Sequence, residues 1–435
     1  MDWPRKVLVI FFLICSHESP AHVGKVPPDQ LQQSEALDFK AVVQRVRAVS
    51  FALQRGKQLV DSAQAASSAT DLQGVPTLQL SNGLVFQQSV RNFRQQHALT
   101  LSATLWDFGR QHAQELRAQA QVAVSEAQLV EYEENLRGKT ARYYVSLQAA
   151  EKVLALAEEQ LRNAQSKLQT VTSAYRRGER PQTDVVKLKV EEGRAQLFLS
   201  RAQDEHAALS TQLMLSTLDD NTSYSATQRV RLKALPERGT AQWLGLFAEW
   251  ERRIPESATL NKLTASEKVL QAELSSLNAD AFPSIGSSAA VQAGGSLLPI
   301  KPDILAQLNL QYSIPLTAQR DFRRSALLAR VREVQLNRSE EKKNRSDKLI
   351  QSRVRAQGVL RTLELQRSQI ETLLEYQKLV RARYFAGRAS LLELTTTEDD
   401  LLAQRLELAR LQSNLYLIAL DAADALGGKY VEELF

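Results

Sequence analysis

The chain has 435 residues, with 55 lysines and arginines against 49 acids and a formal net charge of +6. Only 6% of it is aromatic, and the one cysteine is Cys15. Ala, Leu, Gln, Glu, Arg and Lys dominate, the profile of long helices rather than compact layered folds. Cations alternate with glutamates along the helical stretches, so the mild positive charge describes solvated helix faces and excludes a concentrated nucleic-acid surface.

At the amino terminus Arg5 and Lys6 precede the apolar run Val7–Cys15, and Ser19-Pro20-Ala21 supplies small residues for cleavage. That pattern predicts a secretory signal over residues 1–21. The run is too short to span a bilayer, which takes about 20 apolar residues, and no other apolar run approaches that length. Cleavage after Ala21 leaves no thiol in the mature chain. Acylation of Cys15 is the alternative, set against by Ile14, where a small residue is wanted; both remain open.

A short helix is predicted over Ser34–Ser68, ending before Val75-Pro76. The period then changes to two. Leu78, Leu80, Leu84 and Phe86 alternate with polar residues, and after a polar stretch, Gln88–Gln96, so do Leu99, Leu101, Ala103 and Leu105. From near Arg110 a helix of roughly 65 residues follows, about 100 Å long at 1.5 Å per residue. Along it Leu147, Leu154, Leu161, Leu168 and Tyr175 recur every seven residues, with Ala150, Ala157, Ala164 and Val171 beside them. This is a heptad seam whose alanines permit close approach. The stretch YRRGERPQTD at 175–184 turns the chain, and Leu188, Ala195, Ala202 and Leu209 carry the period back as the descending helix of a hairpin.

Residues 216–239 read as a polar linker containing Pro236, and then the order repeats. A helix over Thr240–Ala279 ends before Phe282-Pro283. Alternation returns in Ile285, Ala289 and Val291, and, after Ala293–Asp303, in Ile304, Ala306, Leu308, Leu310, Tyr312 and Ile314. A second long helix starts near Arg320. Its seam holds Ala356, Leu363, Ile370 and Tyr384, with Val359, Leu373 and Val380 beside it. It turns at YFAGRASLLE, residues 384–393, and returns through Leu401, Leu408, Leu411, Leu415, Ile418 and Ala422, with Gln366, Gln377 and Gln404 as polar exceptions. Both turns place Tyr three residues before Gly and an acid six after it. The copies match without a gap at an offset of 209 residues, over 147–213 and 356–422. A tandem duplication follows: repeat one over 34–215, the linker, repeat two over 240–427, and a tail over 428–435.

Helices this long cannot be buried in one compact domain, and two hairpins leave flanks exposed, so the chain is expected to self-associate. Ten-residue strands with one apolar face suit either a membrane barrel with a wet lumen or a soluble sheet lying on a core. Export and the length of the helices favour the barrel. Four strands cannot close one, and lipid tolerates no open edge, so a spanning barrel must be pooled between chains.

With a signal, duplicated strand–strand–hairpin units, LWDFG and PLTAQR where strand passes to helix, and the paired Y-x-x-G-x5-[DE] turns, the chain resembles the TolC family of outer-membrane efflux proteins over about residues 34–427. The resemblance implies an α+β membrane protein: a homotrimeric, 12-stranded β-barrel in outer-membrane lipid, four strands per chain, continued as a long coiled-coil helical barrel across the periplasm. It implies that a periplasmic adaptor docks at the hairpin tips, where Arg177, Gly178, Gly387 and Arg388 stand, and links the duct to an inner-membrane transporter. It implies further that Tyr384 contacts Asp184 as a latch between neighbouring helical pairs, and that Glu393 lines the aperture. Two positions depart from the best-studied branch. Ala389 stands where a basic latch residue would, with Arg388 one place earlier, and Thr396 where a second acidic ring would.

Each of these residues also has a plainer role. The two tyrosines lie in seams, Asp184 suits the start of a helix, and the glycines suit tight turns. The five histidines form no metal-ligand spacing, and no nucleophile elbow, carboxylate pair or phosphate loop appears, so neither catalysis nor a cofactor or metal is expected. Two readings without a channel stay in view. A periplasmic adaptor would carry one hairpin rather than two, and a structural tether would not need strands before each hairpin.

Overall fold

The computed structural model describes residues 37–87, 92–217, 232–295, 301–311 and 318–435. The candidate signal with Cys15, most of the linker, and Tyr312 and Ile314 lie outside these. Each repeat runs helix, helix, strand, strand, long helix, helix. The first holds α1 (Phe39–Val49), α2 (Phe51–Asp71), β1 (Thr77–Gln87), β2 (Asn92–Trp106), α3 (Arg110–Arg176) and α4 (Gln182–Thr217). The second holds α5 (Thr240–Arg252), α6 (Ala258–Ala279), β3 (Ser284–Gly295), β4 (Lys301–Gln311), α7 (Gln319–Phe385) and α8 (Leu391–Ala425), followed by a short 3-10 turn at Val431–Leu434.

The long helices are each 67 residues, about 100 Å, as the heptads require. Two expectations need correction. The helix expected over Ser34–Ser68 is two helices, broken at Ser50, whose extended backbone and hydroxyl cap α2 by accepting the Leu53 N–H. The one expected over Thr240–Ala279 breaks at Ile254–Glu256, where Pro255 has no N–H to continue a helix. The strands also reach further into the stretches that separate them. β2 already begins at Asn92, and β3 runs on to Gly295, because backbone pairing continues where the side-chain alternation has lapsed.

The four strands form one antiparallel meander in the order β1-β2-β3-β4. Its register joins the alternating patterns into rows. Leu80, Leu99, Val291 and Ile304 stand side by side, as do Leu78, Leu101, Ala289 and Ala306. On the opposite face, the row just beyond the Leu78 row is Thr77, Ser102, Ser288 and Gln307, with the Thr77 and Ser102 hydroxyls 2.8 Å apart. Between the two apolar rows lie Gln79, Thr100, Ala290 and Leu305, so Ala290 and Leu305 interrupt the polar face. Most of the apolar rows are exposed, including Leu78, Leu80, Ile304, Leu308 and Leu310, so among the described residues nothing covers this face or the outer edges of β1 and β4. An irregularity between Thr104 and Trp106 re-aims β2 as it ends. There Trp106, Phe108 and Phe282 form an exposed aromatic cluster, with the Phe108 and Phe282 rings stacked at 5.3 Å. Asp107 then caps α3, accepting from the Gly109 and Gln111 N–H groups at 3.1 and 2.6 Å.

Toward the hairpin tips the helices lie in the order α4–α3–α8–α7, each packed on its neighbour. The alanine seam of α3 is buried, whereas its leucine seam is buried only at Leu147 and half-covered at Leu154, Leu161 and Leu168. Gln366, polar within an apolar seam, is satisfied by the backbone carbonyl and side chain of Gln404. The main core sits partway along the long helices and gathers the scarce aromatics: Phe39, Tyr144, Trp243, Phe247, Trp250, Tyr416 and Tyr430. The end of the linker crosses it as a strap. Leu37 and Leu232 form a parallel bridge, and the Tyr144 hydroxyl donates to the Lys233 carbonyl at 2.8 Å.

Candidate functional site: the hairpin tips

The repeated turn is a backbone device first. Gly178 (φ 76°) and Gly387 (φ 72°) are both left-handed, a conformation that disfavours a Cβ. In the first tip the Gly178 N–H donates to the Tyr175 carbonyl and the Glu179 N–H to that of Ala174; in the second, Gly387 donates to Tyr384 and Arg388 to Arg383, all at 2.8–3.0 Å. These paired bonds are a Schellman cap. They account for the Tyr-to-Gly spacing, since the tyrosine supplies the carbonyl that its glycine needs. The acid six residues on lies in the first turn of the descending helix, where the dipole favours negative charge: Asp184 in α4, Glu393 in α8. Ser390 caps α8 by accepting the Glu393 N–H at 3.1 Å.

The two tyrosines part company in their side chains. Tyr175 is 40% exposed, whereas Tyr384 is 1% exposed in a cluster with Val171, Val185, Leu188, Val380, Leu391 and Leu394. Both hairpins contribute to this cluster, so Tyr384 is the apolar pin joining them. Its hydroxyl is buried and finds no hydrogen-bond partner among the described residues. Burial raises its pKa, and the nearby Asp184 carboxylate adds to this against Arg180 and Lys167. Asp184 thus lies near enough for its charge to be felt, but no hydrogen bond joins the two within one chain. Glu393 is half-exposed, and Arg177 and Arg388 are exposed on the tips. Arg177 is held by Glu179 through two bonds of 2.8 and 2.9 Å.

Two cations were not anticipated from the sequence. Arg180 reaches from the first turn to the second. It donates to the Tyr384 carbonyl and places its guanidinium carbon 4.3 Å from the centre of the Tyr384 ring. Further from the tip, Lys167 of α3 is buried between Glu191 of α4 and Glu398 of α8 and bonds to both. Burial acts to lower the pKa of that ammonium, but Glu398 and Glu191 outweigh it and the net shift is upward. Other polar rungs join α3 to α8: Glu159–Arg405 at 2.9 Å, Lys152–Gln412 at 2.7 Å and Arg142–Asp421 at 2.8 Å. These lie nearer the surface, where an ion pair contributes about 0–1 kcal/mol. The buried Lys167 node is the strong one. Heptad reading places Lys167 three residues after Ala164, but nothing in the sequence brings Glu191 and Glu398 to it.

An exposed apolar sheet face, sheet edges left uncovered among the described residues and hairpins about 100 Å long leave apolar surface that a single copy does not bury. Residues 42–218 match the family model described as outer membrane efflux protein. No curated protein matches the chain by sequence. Among solved structures, VceC of Vibrio cholerae has 14% identity and a TM-score of 0.73, over 90% of this chain and 96% of that one. CusC, from a study of folding and transmembrane channel formation, has 18% identity and a TM-score of 0.71 over 90% and 92%. The open state of the MtrE outer membrane channel of Neisseria gonorrhoeae has 14% identity and a TM-score of 0.68 over 90% and 89%. The chain is therefore similar in sequence to outer membrane efflux proteins through its first repeat, and it has the fold of outer membrane channels over nine-tenths of its length.

Proposed function

We propose that this protein is the exit duct of a tripartite efflux pump or type I secretion system. Three copies pool twelve strands as a barrel in the outer membrane and twelve helices as a tunnel across the periplasm. The observation that carries this reading is where apolar surface remains uncovered. On the sheet it is the face made of the Leu80 and Leu78 rows, suited to lipid, while the polar row suits a wet lumen. On the helices it falls largely on the two outer flanks: Val186, Val190 and Leu197 of α4, and Leu365, Tyr376 and Leu379 of α7. A ring of copies pairs these flanks and closes both sheet edges together. An adaptor or a tether has no use for the lipid face.

In this reading the tips form the inner aperture. Tyr384 and Asp184 hold it shut, Glu393 faces the passage, and Arg177, Gly178, Gly387 and Arg388 present the surface an adaptor meets before an inner-membrane transporter delivers cargo. The buried Tyr384 hydroxyl without an acceptor is the group such a latch would use, since a bond from it to an ionised carboxylate is charge-assisted. Cross-linking tests the ring. Val190→Cys with Leu379→Cys, treated with a bifunctional thiol reagent in intact cells, should give dimers and trimers that stay with the membrane after carbonate extraction. Extraction of the protein as a monomer would contradict the reading.

A further inference from the structure

We infer that Arg180 is the cationic bolt of the tip, fastening the end of the second hairpin to the first. This rests on the proposal that the tips form a gate. Three features of the contact support it. The Tyr384 carbonyl lies at the C-terminal end of a 67-residue helix, where the backbone dipole and the unpaired carbonyls favour a cation. The guanidinium meets that carbonyl and the face of the same residue's ring together, combining a charge-assisted bond with a cation–π contact. Finally, the carbonyl already accepts the Gly387 N–H at 3.0 Å. Loss of Arg180 therefore leaves no backbone group unsatisfied and no turn unmade. What it removes is attachment between the hairpins.

The duplication sharpens the assignment. At the repeat offset of 209 residues, Arg180 corresponds to Ala389, which packs against the same apolar cluster and carries no charge. The two turns are thus unequal, one supplying the cation and the other the ring and carbonyl. Arg177 is already engaged by Glu179. The next buried cation, Lys167, ties α3 to α8 nine residues before the end of α3. Between that node and the tip, about 14 Å of helix at 1.5 Å per residue, the hairpins are joined by the Tyr384 cluster and Arg180.

The test is single-channel recording from the purified mature protein, comparing wild type with Arg180→Gln, Arg180→Lys, Tyr384→Phe and Tyr384→Ala. Tyr384→Phe keeps ring and carbonyl, so it removes the hydroxyl latch but not the bolt. Arg180→Gln should raise the ratio of open to closed dwell times by about tenfold or more, the usual effect of losing a hydrogen bond to a charged group. Its thermal midpoint and oligomeric state should match wild type, and Arg180→Lys should recover only part of the closure. An unchanged ratio in Arg180→Gln, with a raised one in Tyr384→Ala, would leave the gate standing and overturn the role of Arg180. No change in any variant, Tyr384→Ala included, would overturn the gate and the bolt with it. Full closure by Arg180→Lys would overturn the part given to the guanidinium's meeting the carbonyl and the ring together.

Discussion

The buried Lys167 node makes a demanding prediction, because its energy should be local and large. The lysine side chain is 6% exposed, that of Glu191 19% and that of Glu398 15%. Lys167→Met keeps the length and apolar stem but leaves two carboxylates facing each other without a cation. Breaking a buried pair this way costs about 3–5 kcal/mol, which is roughly 10²- to 5 × 10³-fold in a local opening equilibrium. Hydrogen exchange by mass spectrometry on the detergent-purified protein reads that directly, in peptides of α8 around Glu398. Exchange there should accelerate by about that factor. Adding Glu191→Gln and Glu398→Gln should restore most of the protection, since neutral side chains tolerate burial far better than unpaired charges. If the single variant exchanges like wild type, or the triple exchanges as fast as the single, the node is not a strut between the hairpins.

Other expectations are simpler. Gly178→Ala and Gly387→Ala should each lose about 1 kcal/mol or more through the left-handed backbone, seen as earlier proteolytic cutting at the altered tip alone. Glu134, buried in α3 against the Gly427–Gly428 turn, has its pKa raised to about 7 by burial, with Glu131 adding and Arg137, Arg345 and Lys429 opposing. A carboxyl whose pKa rises on folding favours the folded state when protonated, so that contribution is lost as pH climbs from about 4.5 to 7. Glu134→Gln should therefore be the more stable form at pH 8, by about 1–2 kcal/mol after solvent screening is allowed for, with the advantage gone at pH 4 in thermal melts. On the sheet, Leu308→Arg should impair membrane assembly, at about 2–4 kcal/mol for a charge on a lipid face. Gln307→Arg, one residue away on the other face, should assemble and alter ion selectivity instead.

The long helices and the sheet were legible because their signals are periodic and run for many residues. The passage from strand to helix near Arg110 and Arg320 and the two repeated turns placed the ends of α3 and α7 within a residue or so, and the alternation of Leu99 to Leu105 and of Ile304 to Leu310 fixed which face is apolar. The breaks at Ser50 and Pro255 were missed because each interrupts an otherwise helical composition at one position, and capping competes there with propensity over a single turn. The main core was missed for another reason. Phe39, Trp243 and Tyr416 meet only through the crossing of distant segments, which no local pattern records. At the tips the glycines and the Tyr-to-Gly spacing were readable, since a Schellman cap is local. Arg180 and Lys167 were not, because the partner of Arg180 lies 204 residues away and Glu398, one of the two on Lys167, 231 away.

A chain that builds a conduit through a membrane must conduct ions when placed in one, and reconstitution of the purified mature protein into planar lipid bilayers reads that conduction. Discrete single-channel steps that prefer cations, from protein that runs as a trimer, are the predicted result. A folded trimer that gives no steps at any voltage would contradict the account and leave a helical scaffold in its place.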